Sequence, residues 1–356
     1  MNRKTRYFML TSFAIVVAGL CTGLLAYYGG LPIGAFAQKP GPAELAYVPS
    51  SAAVVAFADV RDVMDSEMRR RLRSVMPGEE PKGQEEFKAQ TGIDLEKDID
   101  HVVACLVPKS AEGPAWDSGF VAFRGRFDTV RIESLAREHG ATMEEYRGKR
   151  LVKLPAEHRK GSDHAGEAEA TESRHAGEPR PTMVLAFAEP GLAMFGDERA
   201  VREALDTAAS GRDVTGNAEM MRLVKDLEGN ANAWAVGRFD LIANRTQLPE
   251  GISSQIPAIK WFAAAGRVNG GVSGTFRAEA RDEEAARNLR DVANGFLALA
   301  RMQAGSRPEF RAAIESLQLS GSGTTVQLSF TVPSELFDAV AAMHGKGKSE
   351  AKPEPQ

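Results

Sequence analysis

The longest hydrophobic stretch of the chain lies at its N-terminus. Residues 7–28 contain no charged side chain and follow Arg3, Lys4 and Arg6. About 20 apolar residues in a helix are enough to cross the hydrocarbon core of a bilayer, and a basic flank favours a cytoplasmic N-terminus. We therefore predict a single-pass anchor that contacts the lipid bilayer through residues 7–28 and leaves the downstream chain outside the cytoplasm.

Cleavage is the alternative for this segment. A secretory signal peptide ends in an A-x-A-like site, and the tripeptide Ala-Phe-Ala that ends at Ala37 supplies one. The apolar run is longer than in most signal peptides, however, and the site lies well past its end. A lipoprotein signal fits less well, because Leu20 rather than a small residue precedes Cys21. Cleavage after Ala37 would make the protein secreted or periplasmic.

Beyond the anchor, short apolar runs alternate with stretches of helical period. Residues 53–57 predict a strand, and Asp59 follows as a candidate N-cap for the next helix. That helix is predicted as one continuous element with a buried face and with Asp65 paired to Arg69. Its apolar positions recur every four residues, at Met64, Met68, Leu72 and Met76.

One tetrapeptide occurs twice in the same context. Gly-Arg-Phe-Asp stands at residues 125–128 and 237–240, each time directly after a predicted strand. We expect Asp128 and Asp240 to cap the helices that leave these strands. The repeated context predicts an internal duplication. Asp197 and Asp282 follow other predicted strands and are further candidate caps.

Turn residues predict how the strands are joined. Asn269-Gly270 and Pro190-Gly191 separate adjacent strand-like runs, as in hairpins. Each half of the chain then contains the order β-α-β-β-α-β, which is ferredoxin-like, with an added strand and helix. The predicted fold class is α+β: an N-terminal transmembrane helix followed by two ferredoxin-like-ordered repeats, with mainly antiparallel sheets and helices on one face.

These patterns divide the chain into segments. Residues 156–181 and the C-terminal tail are charged, rich in small residues and aperiodic, which is typical of disorder. The predicted segments are a cytoplasmic end (1–6), the anchor (7–28), a linker (29–43), a first extracytoplasmic repeat (44–210) with a disordered loop insertion (156–181), a second repeat (211–344) and a disordered tail (345–356).

Composition excludes some classes of function. The net charge is −4, and a nucleic-acid-binding domain is expected to carry a strongly basic face, so we predict no nucleic-acid partner. Cys105 is the single cysteine beyond the anchor, so the exported part has no internal disulfide to form. We interpret Cys105 as a small buried hydrophobe.

The acidic run at residues 94–100 is the densest cluster of candidate metal ligands. An EF-hand loop needs glycine at its sixth position and glutamate at its twelfth, but Ile99 and Cys105 occupy those positions counted from Asp94. Instead, Gly92 is expected to end a helix in a left-handed conformation, and Asp94 to cap a short turn. Three histidines lie in the predicted disordered insertion, at His158, His164 and His175.

Motifs for covalent or cofactor chemistry do not occur. The chain has no G-x-S-x-G, no H-E-x-x-H and no glycine-rich phosphate loop. Glu144 and Glu145 are interpreted as acids at a helix start, where the helix dipole favours them. We therefore predict no catalytic, cofactor-binding or metal-ligating residues and no cofactor, and an enzyme is the less favoured class.

Two short motifs carry a resemblance to a known group of proteins. The chain has Tyr-Val-Pro-x-x-Ala from Tyr47 and Thr-Gly-Ile-Asp from Thr91, downstream of the predicted anchor. In these features it resembles uncharacterised bacterial signal-anchored envelope proteins. The resemblance implies a bacterial envelope location and no known activity.

These observations favour a membrane-anchored extracytoplasmic protein that binds or scaffolds a partner protein. The alternative is a carrier or sensor of an apolar ligand such as lipid, suggested by the methionines on predicted helix faces, at Met64, Met68, Met76, Met220 and Met221. An envelope hydrolase is the third possibility.

Substitution of the acids between Asp94 and Asp100 by alanine should lower the free energy of unfolding by about 1 kcal/mol for each lost cap. Elemental analysis of the purified protein should give the same metal content before and after the change. Stoichiometric calcium in the unmodified protein would contradict this interpretation.

Overall fold

The fold is described from a computed structural model. The described residues are 41–75, 82–108, 118–155, 182–227, 229, 231–242, 259–304 and 311–334. The predicted anchor, loop insertion and tail lie outside them. No helix among the described residues is long and apolar enough to span a membrane.

One large antiparallel sheet dominates the described part of the chain. Its twelve strands run in the order β11-β12-β10-β9-β8-β1-β2-β3-β7-β6-β5-β4, which confirms a mixed α+β fold with a large antiparallel sheet. The strands are β1 (Val54–Asp59), β2 (Ile99–Val107), β3 (Ser118–Gly125), β4 (Thr142–Tyr146), β5 (Lys149–Lys153), β6 (Met183–Glu189), β7 (Leu192–Asp197), β8 (Ala233–Arg238), β9 (Ile259–Val268), β10 (Gly271–Ala280), β11 (Gln318–Ser320) and β12 (Thr325–Pro333).

Helices connect these strands. A 3-10 segment, Ala43–Tyr47, precedes β1, and a second, Val214–Gly216, lies between β7 and β8. The α-helices are α1 (Val60–Met64), α2 (Glu67–Val75), α3 (Lys82–Thr91), α4 (Leu95–Asp98), α5 (Thr129–Glu138), α6 (Glu198–Ser210), α7 (Ala218–Leu227), α8 (Phe239–Ile242), α9 (Glu283–Ala304) and α10 (Arg311–Glu315).

Both faces of the sheet carry buried residues, so the prediction of helices on one face is wrong. Successive side chains of a strand point to opposite faces. Val103 belongs to the main core, which includes residues of α6, α7 and the first 3-10 segment, whereas its neighbour Val102 packs with Val60 and Met64 of α1. We call the face of Val103 the inner face and that of Val102 the outer face.

The predicted helix over the methionine positions is two helices. α1 ends at Met64 and α2 begins at Glu67. The Ser66 hydroxyl accepts a hydrogen bond from the Arg69 amide at 3.3 Å, which starts a new helix, and the Met68 amide bonds to the Asn269 carbonyl at 2.6 Å. The predicted pairing of Asp65 with Arg69 is also wrong, because Arg69 forms its ion pair with Glu96.

Most of the predicted helix caps are confirmed. Asp59, Asp128 and Asp197 each accept a hydrogen bond from the amide three residues ahead, at 2.9 to 3.0 Å. Asp240 is the exception, because it lies inside α8 and its carboxylate accepts a hydrogen bond from Arg238 Nε at 2.7 Å. In the first copy the equivalent arginine, Arg126, lies 3.5 Å from Asp98 instead, and Asp128 caps its helix.

Sequence reasoning missed β4. Glu144 and Glu145, interpreted as a helix start, lie in this edge strand, which pairs with β5. Glu144 is matched by cations, with Lys153 Nζ at 2.6 Å and Arg202 beside it. Charges on an edge strand discourage pairing with other chains, so these acids protect the edge of the sheet and do not start a helix.

A buried carboxylate fastens the first 3-10 segment to the inner face. Glu44 is 1% exposed, and its oxygens lie 2.8 Å from His101 Nε2 on β2 and 2.5 Å from Arg124 Nε on β3. Burial raises the pKa of Glu44, but hydrogen bonds and charges from His101 and Arg124 outweigh it and lower the pKa to about 2. We call these three residues the Glu44 clamp.

The Glu44 clamp should make stability depend on acid pH. Because the folded-state pKa of about 2 lies below the ordinary value of 4.5, the ionised carboxylate stabilises the fold above that value. This contribution, about 3 kcal/mol, is lost as the pH falls from about 5 to about 2. Urea unfolding across this range should show the loss, and Glu44→Gln should reduce it while costing about 3 kcal/mol at neutral pH.

Glu189→Gln is the matched control. Glu189 pairs with the other side of Arg124 at 2.7 Å but is 42% exposed. Its substitution should cost less than about 1 kcal/mol at neutral pH, as for an exposed ion pair. Equal pH profiles for the wild type and Glu44→Gln would contradict a role for the clamp.

Candidate functional site

The outer face of the sheet is apolar where β9, β10 and β12 lie side by side. Phe276 of β10 pairs with Ala264 of β9 and Leu328 of β12. Leu328 in turn pairs with Leu319 of β11, so one apolar row crosses four strands. Phe276 is 46% exposed, and this row therefore reaches the surface.

The first half of α9 is fixed against this face. Asp282 caps the helix by accepting a hydrogen bond from the Ala285 amide at 2.8 Å. Ala286 is fully buried with Val326 of β12. Arg290 donates to the carbonyls of Gly323 and Thr325, at 2.7 and 3.0 Å. The cap, the packing and these hydrogen bonds fix the direction in which α9 continues.

The second half of α9 exposes apolar side chains. Phe296, Leu299 and Met302 are 55%, 47% and 75% exposed, and their three-residue spacing places them along one side of the helix. We call them the α9 stripe. Leu297 faces the protein and is 7% exposed. Arg301 is the only charged residue between 292 and 304, so few charged side chains favour the exposure of this half of the helix to solvent.

An exposed apolar stripe on a fixed helix is suited to binding another protein. Contiguous exposed apolar surface marks interaction sites, and aromatic residues, methionine and arginine are enriched at protein interfaces. Anchors at three- and four-residue spacing on a helix are the pattern of helix-in-groove recognition. The sequence contained a signal for this stripe, namely a helical stretch with a single charge, but helix period alone did not show which apolar residues the sheet covers.

The acidic run is neutralised by cations from other elements. Asp94 lies 2.7 Å from Lys88, and Asp100 lies 2.6 Å from Arg61. Glu96 pairs with Arg69, and Asp98 lies 3.5 Å from Arg126. Asp94 also caps α4, and Gly92 has φ 77°, both as predicted. Within the described residues, no group of His, Cys, Asp or Glu is arranged to hold a metal ion.

The other sequence candidates have structural positions where they are described. Met64, Met68 and Met220 are buried in the core, and Met221 packs against it. Cys105 is 3% exposed, and burial raises the pKa of its thiol. His101 belongs to the Glu44 clamp, and His139 Nδ1 lies 2.8 Å from the Leu135 carbonyl oxygen. Met76, His158, His164 and His175 lie outside the described residues.

Two leucines of α9 should respond differently to substitution. Leu299→Asp replaces a half-exposed side chain and should change the free energy of unfolding by less than about 0.5 kcal/mol. Leu297→Ala removes buried methyl groups two residues away and should cost about 2–3 kcal/mol. Urea denaturation measures both. A large loss in Leu299→Asp would mean that the stripe is part of the core.

Comparisons with known proteins provide one distant likeness. No protein-family model and no curated protein matches this chain. A solved structure titled "Structure of crystal form I of TP0453" is similar with a TM-score of 0.38 and 10% sequence identity, over 86% of this chain and 99% of that chain. A likeness at this level carries no argument about function.

Proposed function

We propose that this protein is a binding or scaffold protein of the bacterial envelope that acts without catalysis and recruits a protein partner through the α9 stripe. The observation that carries the proposal is the exposure of Phe296, Leu299 and Met302 on a helix whose other half is fixed to the sheet. In this proposal, residues 7–28 hold the protein in the membrane, and the described domain lies outside the cytoplasm.

The chemistry of the α9 stripe indicates what kind of surface the partner presents. A phenylalanine, a leucine and a methionine provide an apolar strip with one aromatic anchor, and Met adapts its shape to irregular surfaces. Arg301 precedes Met302 in the chain, is exposed and adds a cation near the stripe. We expect the partner to present an apolar groove or helix with an acid at its edge, because complementary charge fixes the register of an interface.

The proposal includes an internal duplication of the domain. β1 and β8 are neighbours at the centre of the sheet. Outward from β1 the order is β1-β2-β3-β7-β6, and outward from β8 it is β8-β9-β10-β12-β11. Counted in chain order without β4 and β5, each half has five strands, with a helix after the first and with the second and third consecutive in the chain. In the sheet, the fifth strand (β7 or β12) lies between the third (β3 or β10) and the fourth (β6 or β11). This correspondence supports two repeated halves, to which β4 and β5 add a hairpin in the first.

The methionines that suggested a carrier of an apolar ligand give that alternative no separate support. Its candidate methionines that lie in the described residues pack in the core or against it, where their role in filling the core accounts for them. By contrast, the α9 stripe is on the surface, where a partner can reach it.

Affinity purification can test the stripe directly. The full-length tagged protein would be expressed in its native envelope as wild type, as Phe296→Asp/Leu299→Asp and as Val130→Asp. Val130 on α5 is 75% exposed, so its substitution adds a charge at an apolar surface position outside the stripe. A stoichiometric partner should co-purify with the wild type and Val130→Asp and fall at least about tenfold with the double variant.

The candidate partner would then be purified and its binding measured with the same three proteins. The same order of affinities supports recruitment through α9. A partner retained equally by all three variants would place binding elsewhere and overturn the proposal. Stripe-dependent self-association, measured by sedimentation, would also overturn it, because the occupant would then be a second copy of this chain.

A further inference from the structure

A groove of about 340 Å³ lies on the inner face, on the opposite side of the sheet from the α9 stripe. Its floor is formed by β9, β10 and β12, and Asp226 and Leu227 at the end of α7 form part of its wall. The groove is therefore spatially distinct from the proposed partner surface.

The floor of the groove is polar. Thr275 pairs with Ser329, and Arg277 pairs with Gln327, across β10 and β12. These side chains share the inner face with Ala263 and Ala265, their β9 neighbours at the edge of the core. Hydroxyl and amide groups at adjacent positions can donate and accept several hydrogen bonds.

The matching strands of the first half show that this polarity is not required by the fold. The inner faces of β3 and β7 carry Phe120, Ala122 and Met194, which are buried in the main core together with residues of α6. A sheet of this kind can therefore fill its inner face with apolar side chains. Over β10 and β12, the chain instead has threonine, serine, glutamine and arginine facing an open groove.

Arg277 is held rigidly at the base of the groove. Its Nη1 lies 2.8 Å from Asp226 and its Nη2 lies 3.2 Å from Glu279. Glu279 in turn binds Arg222 at 2.8 Å. Arg277 Nε is buried and has no hydrogen-bond partner. An unsatisfied buried donor is costly, so the ion pairs to Asp226 and Glu279 have to offset this cost.

Arg267 provides a second guanidinium at the rim. It lines the groove opposite Ser273 on β10 and is exposed. No carboxylate in the described part of the chain lies within ion-pair distance of it. Arg267 and Arg277 are the cations that line the groove and Asp226 is the anion, so its lining has one positive charge in excess. Guanidinium groups bind carboxylate and phosphate in a planar, two-point geometry.

We propose that this groove binds an oxyanion, a carboxylate or phosphate group, carried by a small hydroxylated molecule. Arg267 would pair with the anion, and Thr275, Gln327 and Ser329 would bind the neighbouring hydroxyl groups. Asp226 does not repel the anion strongly because Arg277 already compensates its charge.

Calorimetric titration of the full-length protein in a nonionic detergent tests the site. The probes are inorganic phosphate, glucuronate and neutral glucose at millimolar concentration, with ionic strength held constant by chloride because exposed charges are screened by salt. We expect one site per chain for phosphate or glucuronate and weaker binding of glucose. The tighter of the two anions identifies the oxyanion.

Three variants locate the binding. Arg267→Gln should weaken it at least about tenfold, since a hydrogen bond to a charged group is lost, and Ser329→Ala should weaken it severalfold. Arg287→Gln removes an exposed arginine of α9 that pairs with Glu283, and it should leave the affinity within about twofold. Phe296→Asp/Leu299→Asp should also leave it unchanged, so the groove and the partner surface are tested separately.

Three outcomes would overturn the proposal. The first is that neither anion binds the wild type. The second is that Arg267→Gln and Arg287→Gln weaken binding equally, which would indicate attraction to the general surface charge. The third is that glucose binds as tightly as glucuronate, which would remove the role of the anionic group.

Discussion

The structure depends on the pairing of β1 with a neighbour on each side. β1 forms antiparallel ladders with β2 and β8 at once, and β8 is separated from β1 by more than 170 residues of chain. The β1–β2 ladder belongs to a seven-stranded part of the sheet, and the β1–β8 ladder joins that part to a five-stranded part. Without them, β1 and β8 would be open edges with unpaired amide and carbonyl groups, and the main core, which contains Val55 of β1 and Val236 of β8, would be divided.

The two faces of this sheet differ in the elements that cover them. On the inner face, α6, α7 and the first 3-10 segment cover the middle and the first half, and the groove opens where that cover ends. On the outer face, α9 is fixed at its beginning and exposed at its end. Because successive side chains of β10 alternate between faces, Phe276 and Arg277 belong to different surfaces although they are neighbours in the chain.

Local signals predicted most of the elements, and non-local contacts decided the rest. Asn269-Gly270 joins β9 and β10 as expected from turn chemistry, and Asp197 caps α6 because a cap needs only amides within three residues. The break between α1 and α2 was missed because it involves Asn269, far along the chain, as well as the local Ser66 cap. The α9 stripe and the groove were missed for the same reason: which side chains of a helix or strand are exposed depends on what packs against them, and periodicity does not contain that information.

The position of the Glu44 clamp has a mechanical consequence. A pull on the chain at Gly41 passes through the Ala43–Tyr47 segment before it reaches β1. The load meets the ion pairs to His101 and Arg124, and next the Pro49–Asp213 bridge. Both connect the leading segment to other parts of the domain, so tension is spread over β2, β3 and the segment before α7. A force applied at Gly41 would therefore meet these contacts before it reached β1 in the centre of the sheet.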